Sequence, residues 1–290
     1  MYNLIFCLDK NYIKILEFVL KSFKKTNNIK LYTLNFVIYD PSKNLHNKIL
    51  KIANSISKKF IINYNYFEPT EDFKKILVEY SNVLFGDNEE IKQKRVFFNY
   101  SNWSRFHIVN LFPDIKKGLY LDLDILFCNK IDDIFKIDLT DHIVAVSPFN
   151  KHNESIIKKV KSLHKPNEPE KVEKFFNEFN INRKDLENKH YNCGVMLFNF
   201  ELLRNFNMTD KVENLLKYMI QNPEIKLNGT QNVQNILIPK YKVFSVDYNK
   251  WRFKSVNYSK TKIVHFKGIH IKDLIDNVKF KKTFKNILKK

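Results

Sequence analysis

The chain has 290 residues, with 50 Lys+Arg against 31 Asp+Glu, a formal net charge of +19, and it is 44% hydrophobic and 14% aromatic. That much Phe and Tyr supports a sizeable core and excludes a disordered basic tail, and no apolar run approaches the ~18 residues of a bilayer crossing. The stretch Met1-Tyr2-Asn3-Leu4-Ile5-Phe6-Cys7-Leu8-Asp9 has no basic n-region and ends at an aspartate, so no cleaved signal peptide is expected and the expected location is cytoplasmic.

Strand and helix patterns alternate along the chain. Asn3 to Leu8 predicts a buried strand, and Asp9 to Lys25 a helix capped by Asp9, with Ile13, Leu16, Leu20 and Phe23 at helical spacing. Leu31 to Tyr39 predicts a second strand. Leu45, Ile49, Ile52, Ala53 and Ile56 predict a second helix, and Phe60 to Phe67 a third strand. This order implies an α/β fold, a mostly parallel sheet with helices on both faces. Trp103 to Leu111 predicts a helix, Gly118 to Asp124 a strand, and His142 to Val146 another. Residues 150–190 are polar and predict a helical insertion. Cys193 to Phe198 predicts a buried strand, Val212 to Ile220 and Gln231 to Leu237 helices, and Tyr241 to Val246 and Lys262 to Phe266 the closing strands. From Ile271 an amphipathic tail is expected, with Ile271, Leu274, Ile275 and Val278 on one face, then Phe280, Phe284, Ile287 and Leu288. With few Gly and Pro there is no linker, so the expected organisation is one domain, 1–270, with a C-terminal basic helix, 271–290.

Five arginines, at 95, 105, 183, 204 and 252, leave 45 of the 50 basic residues as lysine. Nucleic-acid readers lean on arginine for bidentate contacts. The lysine excess therefore reads either as compositional drift or as attraction for an anionic partner. Cys7, Cys128 and Cys193 are odd in number, far apart and without a C-x-x-C, which supports neither a disulfide framework nor a zinc knuckle.

Four segments offer chemistry. Asp122 and Asp124 share one face of an otherwise apolar predicted strand. Two such carboxylates repel and resist burial, which leaves a solvated strand end or a divalent cation. His265 ends the apolar run Ile263-Val264-His265 and is followed by Lys267 and Gly268. It is either a core histidine or a third ligand. Asn192 and Gly194, before a buried strand, form either a turn or a sugar contact. Arg105, on the helix before the Asp pair, is either a surface residue or part of a site.

Together, in this order and spacing, these segments resemble glycosyltransferase family 8, the GT-A-fold family of glycogenin and the bacterial lipopolysaccharide galactosyltransferases. The resemblance covers roughly residues 3–275. It implies a Rossmann-like GT-A sheet with a C-terminal helical extension, and a metal-dependent retaining transferase. Phe6-Cys7-Leu8-Asp9-Lys10-Asn11-Tyr12 resembles the uridine-gripping turn, which implies that Asp9 binds uracil with Asn11, Tyr12 and the Cys7 backbone nearby. Ser104-Arg105-Phe106 resembles the helix whose arginine contacts the donor. Leu121-Asp122-Leu123-Asp124 matches the D-x-D that binds Mn2+ and the UDP diphosphate, with Leu123 beside the donor. Tyr191-Asn192-Cys193-Gly194-Val195 resembles the segment beside the donor sugar. Val264-His265-Phe266-Lys267-Gly268 resembles the segment whose histidine is the third metal ligand.

Two departures stand out. Gly229-Thr230-Gln231-Asn232-Val233 keeps the family glutamine, but Thr230 and Asn232 replace the flanking acids, which puts the donor sugar in question. After Gly268 the chain reads Ile269-His270-Ile271-Lys272-Asp273, without the family Pro-Trp. Its lysine falls one residue late, so Lys272, Lys267 or His270 takes the phosphate contact. The implied reaction moves a hexose, glucose or galactose, from UDP-sugar to a glycan or glycoprotein hydroxyl, with Asp122, Asp124 and His265 on Mn2+ or, alternatively, Mg2+. Gln231 and Asn192 are the candidate catalytic residues. The alternatives are an impaired nucleotide-sugar- or glycan-binding homologue and a basic nucleic-acid binder. No nucleic-acid partner is expected. The tail lysines, among them Lys279, Lys281, Lys282, Lys285, Lys289 and Lys290, offer a peripheral membrane contact.

Overall fold

A computed structural model describes residues 1–86, 100–148, 154–164, 168–251, 256–267 and 271–289. Strand β1 (Tyr2–Leu8) feeds a single 3-10 turn, Lys10–Tyr12, and then helix α1 (Ile13–Thr26). The Asp9 carboxylate accepts the Asn11 N–H at 2.7 Å, so it caps the 3-10 turn rather than α1 itself. Strand β2 (Tyr32–Ile38), helix α2 (Leu45–Ile56), strand β3 (Ile61–Tyr66) and helix α3 (Glu71–Phe85) follow. Thr70 caps α3, accepting from the Phe73 N–H. This helix is not among the elements expected from the sequence.

Strands β4 (Lys117–Leu121), β6 (Val144–Pro148), β7 (Tyr191–Asn199) and β8 (Lys242–Val243) complete a seven-stranded sheet of order β3-β2-β1-β4-β7-β6-β8. All neighbours in it are parallel except β7, which runs antiparallel to both β4 and β6. A second sheet, β5-β10-β9, joins β5 (Ile125–Phe127), β9 (Lys250–Trp251) and β10 (Ile263–His265).

Alternation along β1 separates two cores. Leu4, Phe6 and Leu8 pack with α1, α2, β5, β10 and the C-terminal helix Val278–Lys289. Ile5 and Cys7 face α3 and the helices Met208–Gln221 and Thr230–Leu237. Ile156, Leu163, Val172 and Phe175, from the short helices between β6 and β7, join this second core. The sheet is thus covered on both faces, as its β-α-β order requires.

Several expected elements are drawn differently. The helix expected over Trp103 to Leu111 is three pieces: Tyr100–Trp103, a 3-10 turn Ser104–Phe106, and Ile108–Leu111. The strand expected from Gly118 to Asp124 stops at Leu121. The chain there leaves the large sheet and re-enters structure in the small one at Ile125, so Asp122-Leu123-Asp124 is a crossover rather than one strand face. The closing strand around His265 belongs to the small sheet. Asn192 and Gly194 lie inside β7 rather than in a turn before it. The tail is two helices, Ile271–Leu274 and Val278–Lys289. Phe280 and Ile287 are buried against α1, whereas Val278 and Leu288 are exposed. Among the described residues, no helix is long and apolar enough to cross a membrane.

Candidate functional site

The site lies at the carboxyl ends of the parallel strands, where ligands of open α/β sheets bind. Register assembles it. Phe6 of β1 stands beside Leu121 of β4, and Leu121 beside Val195 of β7. Because β7 runs the other way, its opening residues Asn192 to Gly194 lie next to the end of β4. The Asp122 N–H donates to the Gly194 carbonyl at 2.8 Å, and the Phe266 N–H donates to the Asp124 carbonyl at 2.7 Å. These two bonds join the crossover to β7 on one side and to the end of β10 on the other.

Asp122, Asp124 and His265 converge, each offering a ligand atom within 4.8 Å of the others. His265 Nε2 is 3.0 Å from Asp124 Oδ1 and 3.9 Å from Asp122 Oδ2. The imidazole is 1% exposed, whereas the carboxylates are partly open, at 27% for Asp122 and 16% for Asp124. Burial acts to raise the Asp124 carboxyl, but the His265 charge and hydrogen bond outweigh it and hold the group below its ordinary range. Burial likewise opposes a charged His265, and the two carboxylates overcome it and raise the imidazole above its usual value.

Gly194 explains how the three groups come so close. A Cβ built there would stand 2.2 Å from His265 Cε1 and 2.8 Å from Asp122 Oδ2. Only glycine lets the β7 backbone serve as the wall of this space.

Arg105 is turned inward. Nη2 donates to Asp122 Oδ1 at 3.2 Å, Nη1 to the Cys193 carbonyl at 3.3 Å and Nε to the Asn102 carbonyl at 3.0 Å. Its guanidinium lies over the Tyr120 ring, 4.9 Å from the centroid, and the Tyr120 hydroxyl donates to the same Asp122 oxygen at 2.8 Å. Tyr120, two residues before Asp122, was not among the sequence candidates. Period-two alternation along β4 was the available signal.

A polar chain lies behind the cluster. His265 Nδ1 is 2.9 Å from Asn249 Oδ1, and Asn249 Nδ2 donates to Asn192 Oδ1 at 2.9 Å. The Gly194 N–H donates to the same Asn192 oxygen at 3.0 Å. Asn192 Nδ2 and Lys267 Nζ both donate to Gln231 Oε1, each at 3.0 Å. Burial lowers the Lys267 ammonium below its ordinary range, against the pull of Asp122 and Asp124. Asn249 carries no sequence signal, since the pairing of β9 with β10 brings it in.

The remaining candidates lie on several elements. Asp9 is buried, and its second oxygen accepts from Ser101 Oγ at 3.1 Å. The Tyr12 hydroxyl is raised by burial and then by Asp122 and Asp124, which marks it as a neighbour of the pair. Leu123 is buried. Asn11 follows Asp9 in the 3-10 turn. Burial pushes the Cys7 and Cys193 thiols up to about 12, so neither is a nucleophile at neutral pH. Thr230 opens the helix Thr230–Leu237 behind Gly229, whose φ is 84°. Asn232 Oδ1 meets His190 Nε2 at 3.1 Å. Lys272 lies in the short helix Ile271–Leu274. Gly268 and His270 lie outside the described residues.

No curated protein sequence is significantly similar to the chain. Solved structures of similar fold include the galactosyltransferase LgtC in complex with donor and acceptor sugar analogs, with TM-score 0.60, 15% identity, and coverage of 98% of this chain and 95% of that one. Mouse xyloside xylosyltransferase 1 in its apo form matches with TM-score 0.53 and 14% identity, covering 92% and 98%. The glycosyltransferase GlyE of Streptococcus pneumoniae TIGR4 matches with TM-score 0.58 and 14% identity, covering 99% of this chain and 63% of that one. At such identities these neighbours establish the GT-A fold. The model for glycosyl transferase family 8 matches residues 3–272, nearly the whole chain, and the protein belongs to that family.

Proposed function

We propose that this protein is a metal-dependent, retaining transferase that moves a hexose, glucose or galactose, from a UDP-sugar to a hydroxyl of a glycan or glycoprotein. The observation that carries the reading is the convergence of Asp122, Asp124 and His265 against the bare backbone of Gly194. Two carboxylates and one imidazole, walled by a residue with no side chain, fit a divalent cation, and this donor set suits manganese better than calcium. A cation held by these residues supplies positive charge to a leaving diphosphate.

The protein's own groups do the rest. Arg105 and Tyr120 fix one oxygen of Asp122, which leaves the other directed toward His265. Lys267, whose ammonium feels both carboxylates, meets the diphosphate. In this arrangement it is bonded to Gln231, so donor binding draws it away and leaves Asn192 as the donor to that amide oxygen. Asp9, with the turn Lys10–Tyr12, receives the uracil. Among the described residues, the hydrogen-bond partners of Gln231 Oε1 are an amide and an ammonium, with no carboxylate among them to form a covalent glycosyl-enzyme. Retention is therefore assigned to front-face attack. The acceptor hydroxyl gives its proton to the departing phosphate, and the Gln231 oxygen faces the charge developing at the anomeric carbon.

The test is UDP release from a panel of UDP-sugars with Mn2+ or with EDTA. Turnover that survives EDTA overturns the metal assignment. A second reading, a nucleotide-sugar-binding homologue without activity, draws on Thr230 and on Asn232, which is tied to His190. UDP binding by calorimetry with no turnover on any donor would select it.

A further inference from the structure

The polar chain behind the metal-binding cluster has a direction, and residue chemistry alone sets it. The Gly194 backbone N–H is only a donor, so the Asn192 atom it meets is Oδ1. That oxygen also faces Asn249, so the Asn249 atom there is Nδ2. The other end of the Asn249 amide is then Oδ1, and it faces His265 Nδ1 at 2.9 Å, so Nδ1 carries a proton. In the opposite direction, Asn192 presents its Nδ2 to Gln231, which must answer with Oε1. Lys267, a donor with no acceptor, requires the same atom independently. Asn192, Asn249 and His265 are 3%, 6% and 1% exposed, so water does not compete strongly for these bonds.

We propose that Asn249 is a positioning residue that couples the metal ligand to the reacting end of the site. With a cation in place of the Nε2 proton, it holds His265 as the Nδ1–H tautomer, which leaves the Nε2 lone pair on the side of Asp122 and Asp124. It also adds a second donor to the Asn192 oxygen that accepts from the Gly194 N–H, steadying the amide that meets Gln231. The inference rests on the metal-dependent transferase reading. It assigns a role to a residue from the one-turn segment Val246–Asn249, which no motif marks. A partner on the far nitrogen of a ligating histidine fixes its tautomer and orientation.

Two substitutions separate the halves of the role. Asn249→Leu removes the acceptor for His265 Nδ1–H. Asn249→Asp keeps that acceptor but sets a carboxylate oxygen against Asn192 Oδ1, a repulsion that displaces the amide from Gln231. Titration of Mn2+ by electron paramagnetic resonance is expected to show binding about 10–100-fold weaker in Asn249→Leu and at least wild-type affinity in Asn249→Asp. Asn249→Asp is expected to lower kcat at least ~10-fold while the donor KM stays within about twofold, since the loss falls on the reacting end rather than on donor binding. Unchanged Mn2+ affinity in Asn249→Leu, or wild-type kcat in Asn249→Asp, overturns the assignment. A third measurement needs no variant at position 249. In 15N-histidine-labelled protein saturated with Mg2+, the His265 signal, assigned by its loss in His265→Gln, should show Nδ1 protonated and Nε2 bare. The opposite tautomer overturns the proposal even if Asn249→Leu does not fold. Wild-type protein that releases UDP from no donor would defeat the transferase reading, while the tautomer and the Mn2+ affinities would still decide the role of Asn249.

Discussion

Gly194 and His265 stand so close that a methyl group on the Gly194 α-carbon would lie 2.2 Å from the imidazole Cε1. The neighbour it would strike is a buried ring held by Asn249 and Asp124, not the free end of a flexible chain. Gly194→Ala must therefore displace the ring, the β7 backbone or both. The expected result is loss of Mn2+ binding and transfer, with a destabilisation of about 1–3 kcal/mol typical of overpacking. Mn2+ titration and urea unfolding of the variant check this. An active, metal-binding Gly194→Ala would mean that the space at the cluster is larger than described.

Asp124→Asn tests the cluster from its least exposed carboxylate. The amide keeps the size of the side chain but removes the charge that faces His265 Nε2. Partners outside the ligand set cost 10–100-fold when lost, so a ligand should cost at least about 100-fold in Mn2+-dependent turnover. EDTA should abolish wild-type activity to a similar level. Full activity in Asp124→Asn would sink the metal assignment.

Lys267→Met separates binding from chemistry at Gln231. The lysine gives Gln231 Oε1 one of its two hydrogen bonds, and Asn192 gives the other. A charge-assisted hydrogen bond to the diphosphate is worth about 1.5–3 kcal/mol, so UDP affinity in the presence of Mn2+ should fall about 10–100-fold. Calorimetry with UDP measures this directly. Unchanged UDP affinity would remove Lys267 from the phosphate site and leave it as a support for Gln231.

His107 makes acid stability testable away from the site. It packs between the rings of Phe67 and Phe73, at 4.7 and 5.5 Å, and burial lowers its pKa to about 4. Below its ordinary pKa of about 6.5 the unfolded chain takes up a proton that the folded chain refuses. Stability is thus fully present above about pH 6.5 and falls as pH drops toward 4, by about 1–3 kcal/mol. Urea midpoints at pH 7 and pH 4.5 should differ less in His107→Leu than in the wild type. An equal drop in both would place the acid sensitivity elsewhere. His190, also lowered to about 4 by burial, adds a second contribution of the same sign.

Much of the scaffold was legible because its signals are local. Leu4, Phe6 and Leu8 against Ile5 and Cys7 alternate as a strand covered on both faces must, and α1 and α2 carry their apolar stripes at helical spacing. The end of β4 was less legible. A run of Leu, Tyr and Ile around two aspartates reads as one strand, yet the chain leaves the sheet at Asp122. Nothing in the local pattern distinguishes a strand that continues from one that crosses to another sheet. The tail shows the same limit, since Val278 fits the apolar stripe but is exposed once the helix packs on α1 through Phe280 and Ile287.

The sequence by itself determined the alternating α/β order, the pair Asp122 and Asp124, and the family signature that runs through Asn192, Gly194, Gln231 and His265. These depend on residue type and on spacing along the chain, which a strand or helix turns directly into faces. Only the tertiary structure decided that Arg105 is committed to Asp122, that Gly194 is the wall of the cluster, and that Asn249 stands between His265 and Asn192. Those relationships, like the bond from Arg105 to Cys193 across 88 residues, arise through strand register and the meeting of two sheets. The direction of a hydrogen bond in such a chain follows from the partner that packing supplies, and local sequence carries no information about that partner.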